Sequence, residues 1–520
     1  MYSTARSPPV AAVLRLHVGL GLLVLCALIV LVGAKVLELW RGFEHAQGVA
    51  TREAATLYVA RRVQEEGSLF GNWREVPHVV TWHGPVLYLA AGYIGRCTDA
   101  TSEDLLAIGR SISLIASLGT VGLLVWLLRA HWAVSLPIAL AAGMAYLAIG
   151  GGLSGLDYAF CPDAPGCFLS LLGAAFVLRS ERPAFLYVSV FVFLLAFFCK
   201  QLSLAGPPAV ALWLWVEGRH RCAICYAAVS AAVFVAAVGV VNSCTDGRYW
   251  LNNVEALKGN LNLYWAPYFL RQAIKVARLP LALGLLAAAL DWLQGPRRFP
   301  AVFFLLSLAV TTVGVRSDGL WVGYHMPALA MACLLGGRQL GDWWKERLSL
   351  PVANVALTLA LVLGTISYVP EAVLTVARLP VSWRRFEKRQ QDRQAQTESM
   401  RIASEYLERL SGPVLCEDNT IALRCPPSIM IDAFAFGNMA RAGVFDDRRL
   451  IQDIRQGRLA AIVLTARGPG RSQAQIGLSL RWRRAMKDRY RQVRLPGVKG
   501  VEIHRPVGYL GQLGRRGHER

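Results

Sequence analysis

Two carboxylates and a handful of cations stand out in a chain with few ionisable groups in its apolar stretches. Together they offer a base for a hydroxyl proton and positive charge for an anion. Glu53 lies in TREAATLYVARRVQEEG, which reads as a helix capped by Thr51, running to Glu66 and stopped by Gly67. The helix dipole alone favours a carboxylate in that first turn by about 0.3–1 kcal/mol, so a structural role for Glu53 stays open. Asp163 sits between Pro162 and Pro165 at the mouth of an apolar run. An uncompensated acid there costs about 3 kcal/mol, so it calls for a cation, a metal or a wet cavity. Lys200, followed by Gln201, stands where one apolar run turns directly into the next, which holds its ammonium near the head-group plane. Snorkelling from a helix end describes that position equally well. Arg248 and Lys258, with Arg271 and Lys275, are alternative phosphate contacts. His83, Tyr324 and His325 border apolar runs, where an amphipathic ring also suits the interface. Either Glu53 or Asp163 could serve as the base. A divalent metal bridging both carboxylates and a phosphate fits the charges. The acids are too few to demand one, and no metal ligand or cofactor is assigned.

The elements that hold these residues are helices in a membrane. Of 520 residues, 55% are hydrophobic and 17% charged, and the mean hydropathy is +0.40. That excludes a coiled coil, a disordered chain and a small disulfide scaffold. The net charge of +21 gathers at membrane borders and in the last segment, so lipid head groups or phosphate are simpler partners than nucleic acid. Eleven apolar runs can be traced: Val18–Ala34, Ser111–Leu128, Trp132–Leu156, Ala164–Leu178, Pro183–Cys199, Gln201–Val216, Cys222–Thr245, Leu279–Leu290, Phe299–Val315, Gly319–Gly337 and Pro351–Pro370. A bilayer core of about 30 Å takes about 20 helical residues per crossing. The expected fold is an all-α polytopic membrane protein with about 11 transmembrane helices, within a range of 10–13. Val18–Ala34 reads as an uncleaved signal anchor with its N-terminus inside. Short basic loops then alternate with outer segments along the chain. Arg129, Arg179 with Arg182, Arg219 with Arg221, Arg297 with Arg298, and Arg338, Lys345 and Arg347 all fall inside. Counting Gly84–Gly95 as a crossing would break that alternation, so it is expected as a helix on the outer surface.

Residues 1–380 form the expected transmembrane unit, with 35–110 as its first outer loop. Residues 381–520 carry 27 Lys/Arg against 14 Asp/Glu and read as a small α/β domain outside the cytoplasm. There Arg393–Leu410 and Asp447–Gln456 look helical, whereas Pro413–Cys416, Ile429–Ile431 and Ala460–Leu464 look like buried strands. Arg481–Arg494 reads as a solvated or lipid-facing helix. Cys416 and Cys425 could pair in an oxidising compartment. A transporter would concentrate polar groups at mid-membrane. Here they gather in outer loops and turns, which points to a site reached by a lipid head group from the side and by a hydroxyl from water.

The order of the motifs resembles the GT-C glycosyltransferases, in particular the bacterial branch related to protein O-mannosyltransferases and lipid A aminoarabinose transferases. After the anchor comes an outer loop whose Glu53 opens a Tyr-Val-Ala-Arg helix, then His83 before Gly84-Pro85. AFCPDAPGCFLSLLG resembles the family's Arg-Pro-Asp turn, with Cys161 in place of Arg. FFCKQLSLAG resembles its Lys-Gln turn, at Lys200 and Gln201. SDGLWVGYHMPALA resembles its late outer segment, at Tyr324 and His325, and PVLCEDNTIALRCPPSIMIDAF resembles its tail. Where the family usually has an Asp-Glu pair, this chain has Arg52-Glu53. The resemblance implies a multi-pass enzyme of a prokaryotic inner membrane, with a polyprenyl-phosphate sugar as donor and a glycan, lipid or protein hydroxyl as acceptor. The alternatives are a lipid-linked glycan transporter and an inactive GT-C-like scaffold, the latter suggested by Arg52 and Cys161.

Overall fold

A computed structural model describes residues 8–43, 51–152, 159–180, 182–258, 266–294, 298–314, 322–346, 351–417, 419–425, 428–430, 433–465, 479–498 and 501–507. The helices of its first half are α1 (Pro8–Phe43), α2 (Thr51–Glu66), α3 (Pro85–Cys97), α4 (Ser102–Trp132), α5 (Leu136–Gly152), α6 (Asp163–Leu178), α7 (Pro183–Cys199), α8 (Gly206–Val216) and α9 (His220–Cys244). Then follow α10 (Arg248–Trp250), α11 (Ala266–Val276), α12 (Arg278–Gln294), α13 (Arg298–Val313), α14 (Met326–Glu346) and α15 (Pro351–Glu408). The last helices, α16 (Asn419–Arg424), α17 (Ala433–Arg441), α18 (Arg448–Arg455) and α19 (Leu480–Met486), accompany strands β1 (Val414–Cys416), β2 (Ala461–Thr465), β3 (Tyr490–Val493) and β4 (Val501–Pro506).

Each of the eleven apolar runs lies at least partly in a helix. The segments Ala12–Ala34, Ser102–Trp132, His220–Cys244 and Pro351–Ala377 are long and apolar enough to cross a membrane alone, and α11 with α12 would add a fifth as one bent span. Shorter apolar helices, such as Asp163–Leu178 and Arg298–Val313, reach about 24 Å at 1.5 Å per residue. Asp163–Leu178 is buried over most of its length, and Phe299–Phe304 of the other is buried without a break. The chain is a multi-pass membrane protein. Its main core joins α4–α8 with α12–α14, and Ala328–Leu335 of α14 is buried throughout.

The segment between α1 and α4, expected as the first outer loop, carries two helices. Gly67 takes the left-handed φ of +68° that ends α2, and α3 begins with Pro85 in its first turn. α3 is the helix expected at Gly84–Gly95. At the far end of the chain, the strands form one sheet in the order β1-β2-β4-β3. β1 and β2 are parallel, and the other pairs are antiparallel. Leu415 and Ile462 join Phe436, Ile451, Ile454 and Trp482 in one cluster, which also takes in Trp73, Val80 and Ala256. Val414, Cys416, Val463 and Ile503 join Leu407, Ile421 and Cys425 in another, together with Val59, Val79 and Tyr88. Both clusters thus combine helices of the C-terminal part with side chains of the segment between α1 and α4.

Several sequence expectations shift. The composition change near residue 381 falls inside α15. Arg481–Arg494 is helical only over Leu480–Met486, after which the chain turns into β3. Around Ile429 there are only isolated bridges, His78 to Met430 and Val414 to Ser428, and Ile431 lies outside the described residues. Residues 316–318, between the apolar runs Phe299–Val315 and Gly319–Gly337, also lie outside them.

Candidate functional site

Two buried ion pairs meet across the short turn that leads into α6. In the first turn of α2, Glu53 accepts from both edges of the Arg110 guanidinium on α4, Nε at 2.9 Å and Nη2 at 2.8 Å. Its Oε1 also accepts from the backbone N–H of Phe160 at 2.8 Å. Side-chain exposure is only 7% for Arg110 and 3% for Glu53. A bidentate pair so deeply desolvated holds geometry, because breaking one partner out leaves a buried charge. What it holds is the turn carrying Asp163: Ser113 Oγ donates to the Cys161 carbonyl at 3.3 Å. The Gly166 N–H closes the first turn of α6 on the Pro162 carbonyl at 3.0 Å. Beside Asp163, burial pushes the Cys161 thiol well above its ordinary pKa, and the Asp163 charge adds to the effect.

Asp163 itself pairs with Lys200, and both side chains are less than a tenth exposed. α7 ends at Cys199, Lys200 takes an extended conformation, and a 3-10 turn, Gln201–Ala205, begins at once. This break in the helix aims the ammonium across to α6 rather than along its own axis. The Lys200 Nζ also lies 3.7 Å from the ring centroid of Tyr324, a cation–π contact with the 3-10 turn Val322–His325. Two separate chain segments, the start of α6 and the turn before α14, therefore converge on one ammonium.

A third layer fixes the His83 segment. At Gly84 a Cβ would lie 2.2 Å from the Phe198 carbonyl oxygen, so only glycine allows this approach to the end of α7. Gln201 donates to the Trp82 carbonyl at 3.3 Å and to the Asn253 side chain. After α10 comes a π-helical turn, Leu251–Glu255, a rare conformation that often marks functional sites. It places Asn252 to accept from Thr81 N–H at 2.9 Å and to donate to the carbonyls of Gly71 and Arg248 at 2.8 and 2.9 Å.

The sequence-derived candidates thus separate. Asp163, Lys200 and Tyr324 meet directly, and Gln201 links their turn to the segment holding His83, which is half-buried. Glu53 stands behind them on Arg110. His325 is buried, with Nε2 3.4 Å from Thr312 Oγ1. Exposed Arg248 stands apart from them, in a cavity of about 360 Å³ with Asn72, Glu75, Asp246, Trp250 and Glu255, and exposed Lys258 follows the π turn. Among the described residues, no group of three or more His, Cys, Asp or Glu side chains is arranged to hold a metal ion. Sequence reasoning missed Arg110, which ends the outer loop and so looked like a border charge. It also missed Asn252 and Asn253, two adjacent amides whose only signal was their polarity inside YWLNNVE.

No protein-family model matches the chain, and no curated protein matches it in sequence. Its structure is similar to ArnT from Cupriavidus metallidurans in the apo state, with a TM-score of 0.52 at 13% identity, covering 91% of this chain and 97% of that one. The same protein bound to undecaprenyl phosphate gives the same values, 0.52, 13%, 91% and 97%. An oligosaccharyltransferase of Archaeoglobus fulgidus in the apo form gives 0.47 at 12% identity over 87% of this chain and 70% of that one, too weak to argue from. At such identities the similarity speaks for the fold. The helical bundle and its C-terminal sheet share the fold of the Cupriavidus ArnT, as the sequence resemblance led one to expect.

Proposed function

We propose that the chain is a membrane glycosyltransferase that moves one sugar from a polyprenyl-phosphate-linked donor to a glycan, lipid or protein hydroxyl. The site would face the extracytoplasmic side of an inner membrane, with the N-terminus inside and the C-terminal sheet outside. The observation that carries this is the buried Asp163–Lys200 pair stacked on Tyr324. Alone, the two charges neutralise each other. A lipid phosphate that pairs with Lys200 releases the Asp163 carboxylate, which then takes the proton of the attacking hydroxyl. The sugar leaves the phosphate as the hydroxyl attacks, and Lys200 balances the charge that grows on the departing phosphate oxygen. A single displacement of this kind inverts the anomeric centre, and no covalent sugar–enzyme step is required. Glu53 acts in this scheme by holding the Asp163 turn, and the undecaprenyl phosphate bound to the Cupriavidus ArnT supports the donor class.

Surface glycans and lipids from cells with and without the gene, compared by mass spectrometry, test the proposal. One missing sugar should reappear with the native chain and stay missing with Asp163→Asn present at the same level in the membrane. Identical glycans in both strains, or loss of a whole lipid-linked glycan instead of one sugar, would overturn transfer, the second in favour of a transporter.

A further inference from the structure

The chain after α2 and the chain after α9 enclose the cavity of about 360 Å³ in which Arg248 stands. Asn72 and Glu75 line it from one side, and Asp246, Arg248, Trp250 and Glu255 from the other. Three bonds tie the two walls together. Trp73 Nε1 donates to the Leu251 carbonyl at 3.0 Å, Asn252 Nδ2 donates to the Gly71 carbonyl at 2.8 Å, and Arg74 pairs with Glu255 at 2.6 Å. Asp246 and Gly247 take left-handed φ values of +50° and +77°, which turn the chain from α9 into α10. The π turn that follows has two faces. Asn252 and Asn253 are buried and bond Thr81 and Gln201, the neighbour of Lys200, whereas Leu251 and Glu255 line the cavity. One turn thus joins the cavity wall to the segments around the ion pair.

The lining decides what chemistry fits. Three carboxylates stand against one guanidinium, so the balance of charge repels a phosphate. Among the described residues, no three His, Cys, Asp or Glu side chains are arranged for a metal ion. Asp246 and Arg248 are exposed and make no ion pair among the described residues, and Trp250 is 48% exposed. A sugar ring matches this set. Its neighbouring hydroxyls each donate and accept, which suits carboxylates, an amide and a guanidinium, and its C–H face packs on an indole. The volume lies within the range of about 300–1,000 Å³ usual for small-molecule sites. We propose that the cavity binds a saccharide of the acceptor, one without phosphate on the bound residue. This rests on the reading of the chain as a sugar transferase, and it narrows the acceptor to a glycan or the sugar part of a glycolipid. The π turn then carries the bound saccharide on one face and Gln201 on the other, which fixes the acceptor relative to the turn that bears Lys200.

Soluble oligosaccharides released from the surface of cells lacking the gene, where the acceptor stays unmodified, are mixed with the purified full chain in detergent. Saturation-transfer NMR should give signal from their sugar protons with the native chain. Binding should be about tenfold weaker with Trp250→Ala or Glu75→Gln, both of which should keep the native thermal midpoint. Silence with the native chain, or equal signal from it and both variants, would remove the proposal. Transfer is read separately by the Asp163→Asn comparison of surface glycans. A sugar missing from the Asp163→Asn cells, with no oligosaccharide signal, removes the cavity alone. A sugar still present in those cells removes the transfer reading, and the acceptor role of the cavity with it.

Discussion

At the scale of single residues, the two acids differ in what else they touch. Glu53 accepts at least three hydrogen bonds of the roughly four a carboxylate takes, so it is the more firmly committed to structure. Replacing Arg110 by Met should strand a buried carboxylate and cost about 3–5 kcal/mol. Glu53→Gln with Arg110→Met together should recover a large share of that loss. Thermal unfolding of the purified chain in detergent measures both, and a double variant no better than Arg110→Met alone would show the pair is not the cause. For the other pair, Lys200→Ala should raise the donor concentration needed for half-maximal transfer by tenfold or more, about 1.4 kcal/mol of binding. Asp163→Asn should instead lower the maximal rate at saturating donor, and steady-state kinetics with a polyprenyl-phosphate sugar separate the two. Glu53, Asp163 and Lys200 were legible in the sequence because ionisable groups beside apolar runs are conspicuous. Arg110 was not, since a loop-end cation looks the same whether it faces lipid head groups or a carboxylate 57 residues earlier.

At the scale of elements, local signals worked where local physics decides the structure. The span Thr51–Glu66, with its glycine stop, is the helix that its sequence describes. β3 and β4 were hidden because their residues, YRQV and VEIHRP, alternate apolar and charged side chains too briefly to stand out from the Arg-rich helix before them. Only pairing, of β4 to β2 and of β3 to β4, makes them strands. The same nonlocal logic governs the contact between the segment after α2 and the C-terminal part. The His78 N–H donates to the Ile429 carbonyl at 2.9 Å, and the His78 ring packs on Phe436 and Phe445 at 5.7 and 5.2 Å between centroids. Burial holds its pKa below the ordinary histidine value, against the opposing pull of the Trp73 carbonyl. The opened segment takes up a proton near pH 6.5 and the folded one only at lower pH. Stability from this contact is therefore full above about pH 6.5 and declines as the pH falls through that window. Thermal midpoints measured between pH 5 and 8 should show this decline in the native chain and a shallower one in His78→Asn.

For the whole molecule, a change of composition near residue 381 suggested two separable parts, yet the packing argues that they fold together. α15 runs unbroken from Pro351 to Glu408. Both clusters that flank the sheet need side chains from outside it, Trp73, Val80 and Ala256 in one and Val59, Val79 and Tyr88 in the other. Sequence composition reports where charge density changes, but not which apolar faces meet, so a boundary drawn from it cuts through shared core. Residues 381–520 made alone should expose those faces and aggregate, and 1–380 made alone should be cut by protease around residues 69–83. Co-expression of the two pieces should restore a protease-resistant complex, because the missing halves of each cluster are then supplied in trans. Size-exclusion chromatography and limited proteolysis of the three preparations test this. A soluble, monomeric 381–520 with the thermal transition of a folded protein would mean that the sheet carries its own core and only rests on the membrane bundle.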